Sequence, residues 1–444
     1  MKRGNRGRRR LRFRFMRVFL AVLVLSLPLL PSKKSSAAPP ATQASVKKAS
    51  EAPVGLWHAA LVPSEGHEVF FDVKISARGS GAGAGLSASL VNDKTEFAFT
   101  SASWDGTRLT LELANYDARI VAEMKGGRLE GGYTRVVAAG LAEVPFRASR
   151  NSPRAVATPK DGATLSGSWG VEMLDGKKTE KLTGVFRQKG SVVAGTFLST
   201  TGDYGSLHGT FDGEQLVLAV FDGVHVYRFD AELLPDGTLA GEYRSRTNPP
   251  VSWRGKRLDA ASEGTYLPGS FDIVKPRDPA APYVVSFPDA EGRLVSTADV
   301  RFAGKPMIVA FMGTWCPNCA DEAPFLRDLE ARYGPRGLAV VSLTFEYTDD
   351  VERNRRQVKR FVERFGTRHP ILLAGTTKDA ATSPATLPLE GWEGYPTTLF
   401  LDRGHRIAKI HSGFDGPATG ERFMKLKKEI EDAVESLLKE PGGR

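Results

Sequence analysis

Cys316 and Cys319 are the only thiols in the 444-residue chain, and two residues separate them in Trp315-Cys316-Pro317-Asn318-Cys319. A thiol pair at this spacing can open and close a disulfide with little backbone movement if both sulfurs share one helical face. The neighbouring sequence provides that face. The apolar run Met307 to Phe311 predicts a buried strand, Pro317 suits a first helical position, and Ala320, Ala323, Leu326, Leu329 and Tyr333 recur at helical spacing. Cys316 then stands at the helix start, where free N–H groups and the positive dipole end stabilise a thiolate, and Cys319 lies one turn inside. This makes Cys316 the nucleophile and Cys319 the thiol that resolves the mixed disulfide. Zinc would need two further ligands at suitable spacing, and the chain has no second cysteine pair or histidine cluster. A purely structural disulfide would close too short a loop to remove much unfolded-chain entropy. Neither a metal nor a cofactor is expected.

The basic balance of the chain is local. Residues 1 to 38 hold 11 Lys/Arg and no acid, whereas the remainder carries 50 Lys/Arg against 51 Asp/Glu, so no nucleic-acid partner is implied. The Arg-rich start, the apolar run Val18 to Leu30 and the small residues Ser35, Ser36 and Ala37 predict an export signal over 1–37. Cleavage is expected near Ala37, with an uncleaved membrane anchor as the alternative. An exported protein works in the periplasm or cell envelope, where thiols meet oxidising conditions.

Residues 38–53, rich in Ala, Pro, Ser and Lys, read as a flexible linker. From 54 to 258 short apolar alternations broken by Asp-Gly and Gly-Gly signals predict antiparallel β structure. The pattern repeats: Trp57 matches Trp169, Trp104-Asp105-Gly106 matches Phe211-Asp212-Gly213, Leu129 to Tyr133 matches Leu239 to Tyr243, and Phe146-Arg147 matches Trp253-Arg254. Two β repeats follow, 54–150 and 164–258, each of roughly eight strands by counting alternations and joined by a linker at 151–163. They would close as barrels or pack as sandwiches. Their aromatic and glycine pattern reads as core and turns, Gly79 to Gly85 reads as a hairpin loop, and His58, His67, His208 and His225 receive no function.

A second linker, 259–282, leads into an α/β region over 283–440. Strands are expected at Met307 to Phe311, Leu338 to Leu343, Thr397 to Leu401 and Ile407 to Ile410. Helices are expected after Cys316, from about Asp350 to Phe365 and from about Thr419 to Leu438. One βαβ crossover, a hairpin and a covering helix make a small mixed sheet. The region resembles the thioredoxin fold, and closely the TlpA/ResA-like thiol-disulfide oxidoreductases. The likeness rests on Ser286-Phe287-Pro288-Asp289, Gly304-Lys305-Pro306, Gly313 to Cys319, Tyr395-Pro396-Thr397-Thr398, the insertion Ala374 to Gly394, and Ile410 to Phe414.

The resemblance implies disulfide exchange with exported proteins, most simply their reduction, with cytochrome c maturation the best-known role of similar proteins. It implies an electron donor of DsbD/CcdA type in the membrane. It also implies a cis-proline loop at Tyr395, Pro396 and Thr397 that docks the substrate strand beside Trp315, Pro317 and Asn318. The buried acid that similar thioredoxins carry six residues before the first cysteine is Ala310 here. By the same resemblance Glu346 is expected to take its place as acid/base partner. The competing reading makes the β repeats the main functional part, binding an envelope ligand or partner, with the redox domain as accessory.

Overall fold

The computed structural model describes residues 51–440 apart from 80–84, 93–94, 152–163 and 177. The export signal, nearly all of the first linker, nearly all of the linker at 151–163 and most of the Gly79–Gly85 loop lie outside the described residues.

Both repeats close into antiparallel barrels. In the first, eight strand positions from Gly55–Leu61 to Gly140–Ser149 pair with their chain neighbours, and the last pairs back on the first through His58↔Ser149 to Leu61↔Phe146. One position is split between Thr95–Ala98 and Ser101–Trp104, both paired with Gly85–Asn92. The second barrel runs from Gly167–Asp175 to Val251–Arg257 and closes through Trp169↔Arg257 to Leu174↔Ser252. Closure removes the free edges that two isolated sheets would expose.

The recurring residues explain why both copies close alike. Trp57 and Trp169 are buried, and each indole N–H donates to the carbonyl four residues earlier, Pro53 O at 2.7 Å and Leu165 O at 3.0 Å. Arg150 and Arg257, at or just past each closing strand's end, lie over these rings at 4.1 and 4.7 Å, Arg150 donating to Val54 O and Leu56 O and Arg257 to Thr164 O and Ser166 O. Asp105 and Asp212 both cap turns, accepting the two N–H groups that follow at Thr107 and Arg108, and at Glu214 and Gln215. Gly131 and Gly241 sit where a Cβ would collide with the carbonyl of the paired strand. The interiors are filled: Trp57, Phe71, Tyr133 and Phe146 pack the first, and Trp169, Phe197, Phe229 and Trp253 the second.

The C-terminal region forms a five-stranded sheet. In chain order its elements are β1 (Met307–Met312), α1 (Pro317–Tyr333), β2 (Ala339–Glu346), α2 (Val351–Phe365), β3 (Ile371–Thr376), β4 (Thr397–Leu401), β5 (Ile407–Ser412) and α3 (Glu421–Lys439). The spatial order is β3-β2-β1-β4-β5, with β1, β2 and β3 parallel and β4 and β5 antiparallel. Strand β3 departs from the sequence expectation, which placed one crossover here and began an insertion at Ala374. A bulge explains the miss: Leu373 pairs with Thr344 and Gly375 with Phe345, so Ala374 is an extra residue that breaks the alternation. Helices α1 and α3 cover one sheet face through Phe325, Leu326, Leu426 and Ile430.

Candidate functional site

All six residues of β1 are buried, and the strand delivers the chain to Thr314, Trp315 and Cys316 with no slack. Cys316 is the N-cap of α1, with extended φ and ψ of −90° and 120°, and Pro317 follows at the first helical position. The Cys316 sulfur accepts the Cys319 N–H at 3.3 Å, the contact a capping side chain makes at a helix start. Both thiols are free and buried, Cys316 at 5% exposure and Cys319 at 2%. Burial pushes the Cys319 thiol well above its ordinary value, and the hydrogen bond and charge of Cys316 push the same way.

Around the pair, Trp315 donates its indole N–H to Phe345 O at 2.8 Å and stacks on Tyr347 at 4.2 Å. The Tyr395–Pro396 peptide is cis, and the Cys316 thiol points to Tyr395 O at 4.0 Å. Trp392 packs edge-on against Tyr395 at 5.4 Å. Thr397 is fully buried and paired on both sides, with Phe311 and with Ser412, so it offers no free edge to a substrate strand. Pro396 is buried as well, so Tyr395 alone of the expected docking loop keeps a partly exposed surface.

Glu346 ends β2 with no exposed surface, and its carboxylate accepts from Thr314 N at 3.1 Å, Thr314 Oγ1 at 2.9 Å and Thr344 Oγ1 at 2.7 Å. Arg353 pairs with it at 3.0 Å. Among the described residues Glu346 hydrogen-bonds to neither cysteine. It holds the backbone just before the dithiol, a different place from the one expected of a proton partner.

A second buried acid, Glu322, lies one turn beyond Cys319 on the same face of α1, 2% exposed. Burial pushes its carboxyl up to about 7, against the hydrogen bond that Thr398 Oγ1 donates at 2.7 Å. Its charge is one of the influences that raise Cys319. Cys319, Glu322, Ser342 and His369 line a cavity of about 10 Å³, close to the room one water molecule needs. Sequence reasoning missed Glu322. The available signal was a carboxylate inside the apolar stripe that Ala320, Ala323 and Leu326 mark as inward-facing.

The barrels also reach the site. Arg135 of the first barrel, 2% exposed, donates to Trp315 O at 3.0 Å and lies over the Tyr347 ring at 5.9 Å. Asp117 of the same barrel pairs with Arg353 at 2.6 Å, extending the chain from Glu346 outward. From the second barrel, Thr201 O accepts from the Asn318 amide at 3.4 Å. No sequence pattern marks these contacts, because their partners stand more than a hundred residues apart. No group of three metal-ligating side chains occurs among the described residues. No described helix is long and apolar enough to cross a membrane.

Residues 275–423 match the Redoxin family. Thiol-disulfide oxidoreductase ResA of Geobacillus thermodenitrificans is 30% identical over 149 residues, spanning 34% of this chain and 71% of the relative. The chain belongs to the ResA-like thiol-disulfide oxidoreductases. ResA of Halalkalibacterium halodurans is 27% identical over 140 residues, 32% of this chain and 71% of that protein. A thioredoxin-family thiol:disulfide interchange protein from Chlorobium tepidum covers 37% of this chain and 97% of its own, at 22% identity and a TM-score of 0.28. The ResA-like part is an enzyme for thiol-disulfide exchange, with disulfide-containing proteins as its substrates. Both barrels lie outside the matched residues.

Proposed function

We propose that the chain is an exported reductase of protein disulfides, working through Cys316 and Cys319 in the periplasm or cell envelope. The observation that carries this reading is the helix cap at Cys316, whose sulfur already accepts an N–H bond at the start of α1 while Cys319 is held as a neutral thiol. The Cys316 thiolate attacks one sulfur of the substrate disulfide, a mixed disulfide forms, and the other substrate sulfur leaves as a thiolate that takes up a proton. Cys319 then gives its proton to Glu322 and attacks Cys316. The mixed disulfide breaks, the substrate leaves as a dithiol, and the enzyme holds the two-electron oxidised Cys316–Cys319 disulfide. A membrane dithiol donor of DsbD/CcdA type returns the two electrons.

Glu346 acts through Thr314 and positions the loop, whereas Tyr395 and Pro396 present backbone to the substrate beside Trp315, Pro317 and Asn318. The reductive direction rests on the resemblance to the ResA-like enzymes, and the potential of the Cys316–Cys319 couple decides it. Cytochrome c maturation fits a reductant of this class, whose substrate would be a haem-binding thiol pair. The basic and apolar N-terminal residues support export. The filled barrel interiors favour this reading over one in which the barrels bind a ligand inside.

Equilibrating the full chain with dithiothreitol or glutathione buffers tests the direction. The expected potential lies near thioredoxin's, about −270 mV, and a value near about −120 mV would make the protein an oxidant. Cys319→Ser should accumulate a mixed disulfide with substrate and Cys316→Ser should not.

A further inference from the structure

In the second barrel Val192–Ser199 turns back on Gly202–Asp203 through Thr200 and Thr201, with Ser199 facing Gly202. This turn meets the helix of the dithiol at Asn318 and the residues flanking the cis-proline loop at Glu393, Gly394 and Gly413. Thr201 O takes the Asn318 amide, Thr200 O takes the Ser412 hydroxyl at 3.0 Å, and the Thr200 hydroxyl donates to Glu393 at 2.7 Å. Gly413, at φ +77°, comes so close that a Cβ on it would stand 2.8 Å from Gly202 N. A Cβ on Gly202 itself would strike the Asn318 amide and come to 3.0 Å from Phe414 O. The next residue, Asp203, accepts Gly416 N at 2.7 Å. On the opposite side Arg135 closes over Trp315.

A substrate sulfur must come within about 2 Å of the Cys316 sulfur to bond to it, and its flanking backbone must then lie beside Tyr395 and Pro396. The Thr200–Gly202 turn touches both flanks of that space, Asn318 between the cysteines on one side and Glu393, Gly394 and Gly413 next to the cis-proline loop on the other. Two clefts flank the turn, one of about 610 Å³ along Thr200, Gly202 and Ser412 to Asp415 and one of about 180 Å³ beside Pro317, and neither cysteine lines either of them. Four hydrogen bonds between polar groups hold the turn and its next residue, and domain contacts of this polar kind allow relative motion.

We propose that the Thr200–Gly202 turn is a specificity-determining lid seated in the substrate groove. It withholds Cys316 from protein disulfides in general and yields to those whose partner displaces the second barrel. This rests on the Cys316–Cys319 exchange proposed above, and it gives the second barrel a part in that reaction.

The test compares single-turnover reduction of insulin, a protein disulfide, and of dithiobis(nitrobenzoate), a small one, by the reduced full chain and two variants. Gly202→Val forces the turn out of the groove and should raise the insulin rate tenfold or more. Glu393→Ala removes one bond from an exposed position without touching either barrel's core, and should raise the insulin rate about fivefold, the effect of one hydrogen bond. The small probe should respond less in both. Insulin rates equal to or below the wild type in Glu393→Ala would overturn the lid, whatever Gly202→Val does to folding. Failure of all three proteins to reduce even the small probe would instead overturn the exchange reading.

Discussion

Glu322 shares a cavity of about 10 Å³ with Cys319, and Glu322→Gln separates the two effects of its carboxyl. Burial lifts the Glu322 carboxyl from 4.5 to about 7, which at 1.36 kcal/mol per decade is about 3 kcal/mol. The folded state therefore binds a proton that the unfolded state has released between about pH 4.5 and pH 7, and stability falls by that amount across the window before levelling off. Gln cannot ionise, so a comparison of urea unfolding at pH 5 and pH 8 should show a fall smaller by about 3 kcal/mol than the wild type's, the part due to Asp203 and Asp321 remaining, while the Thr398 bond still finds an amide oxygen. Kinetics should move the other way. Removing a general base costs about a hundredfold or more, so resolution of a Cys316 mixed disulfide with thionitrobenzoate, followed by release of the second thiolate in stopped flow at pH 7, should slow by that factor. Electrostatics alone predict the opposite sign, because the Glu322 charge helps to raise Cys319 and its loss would ease ionisation. A resolution rate equal to or faster than the wild type would refute the role, even if the stability change appeared as expected.

Arg353→Met should strand the fully buried Glu346 carboxylate and cost about 3–5 kcal/mol in urea unfolding. The double variant with Glu346→Gln should recover most of that loss, and a single-variant cost below about 1 kcal/mol would show the pair to be solvated. Asp203, buried under the lid among Asp321, Asp415 and His225, is pushed up to about 6 by burial, against the N–H groups of Gly205 and Gly416. Its protonated form favours the seated lid, so seating weakens as pH rises from about 4 to about 6. The insulin rate of wild type relative to Asp203→Asn should therefore rise from near unity at pH 4 to tenfold or more at pH 7, and a ratio independent of pH would exclude Asp203 from the latch.

What could be read in the sequence was what repeats or what is local. Trp57 and Trp169 announce two copies of one β unit, barrel or sandwich, because each ring meets a carbonyl four residues away and an arginine near the end of its own repeat, so the pattern recurs with the fold unit. The dithiol announces itself because strand, cap, Pro317 and helix are consecutive. Strand β3 was hidden by a single extra residue, Ala374, that breaks its alternation. Glu322 was hidden because a carboxylate on a helix reads as solvated unless the stripe around it is taken as evidence of burial. Glu346 could be foreseen as close to the site by resemblance, but its hydrogen bonds tie it to Thr314 and not to a sulfur.

The barrel contacts are a different case. Arg135 meets Trp315 across 180 residues and Thr201 meets Asn318 across 117, each through a single backbone carbonyl. A carbonyl is the same in every residue, so a bond to it leaves no complementary residue type to find. The enzyme's chemistry is thus written in a local motif, while control of access to it rests on where two folded barrels place a turn and a guanidinium. It also means that residues outside the motif, Glu393 and Gly202 before any other, should separate substrate choice from exchange chemistry.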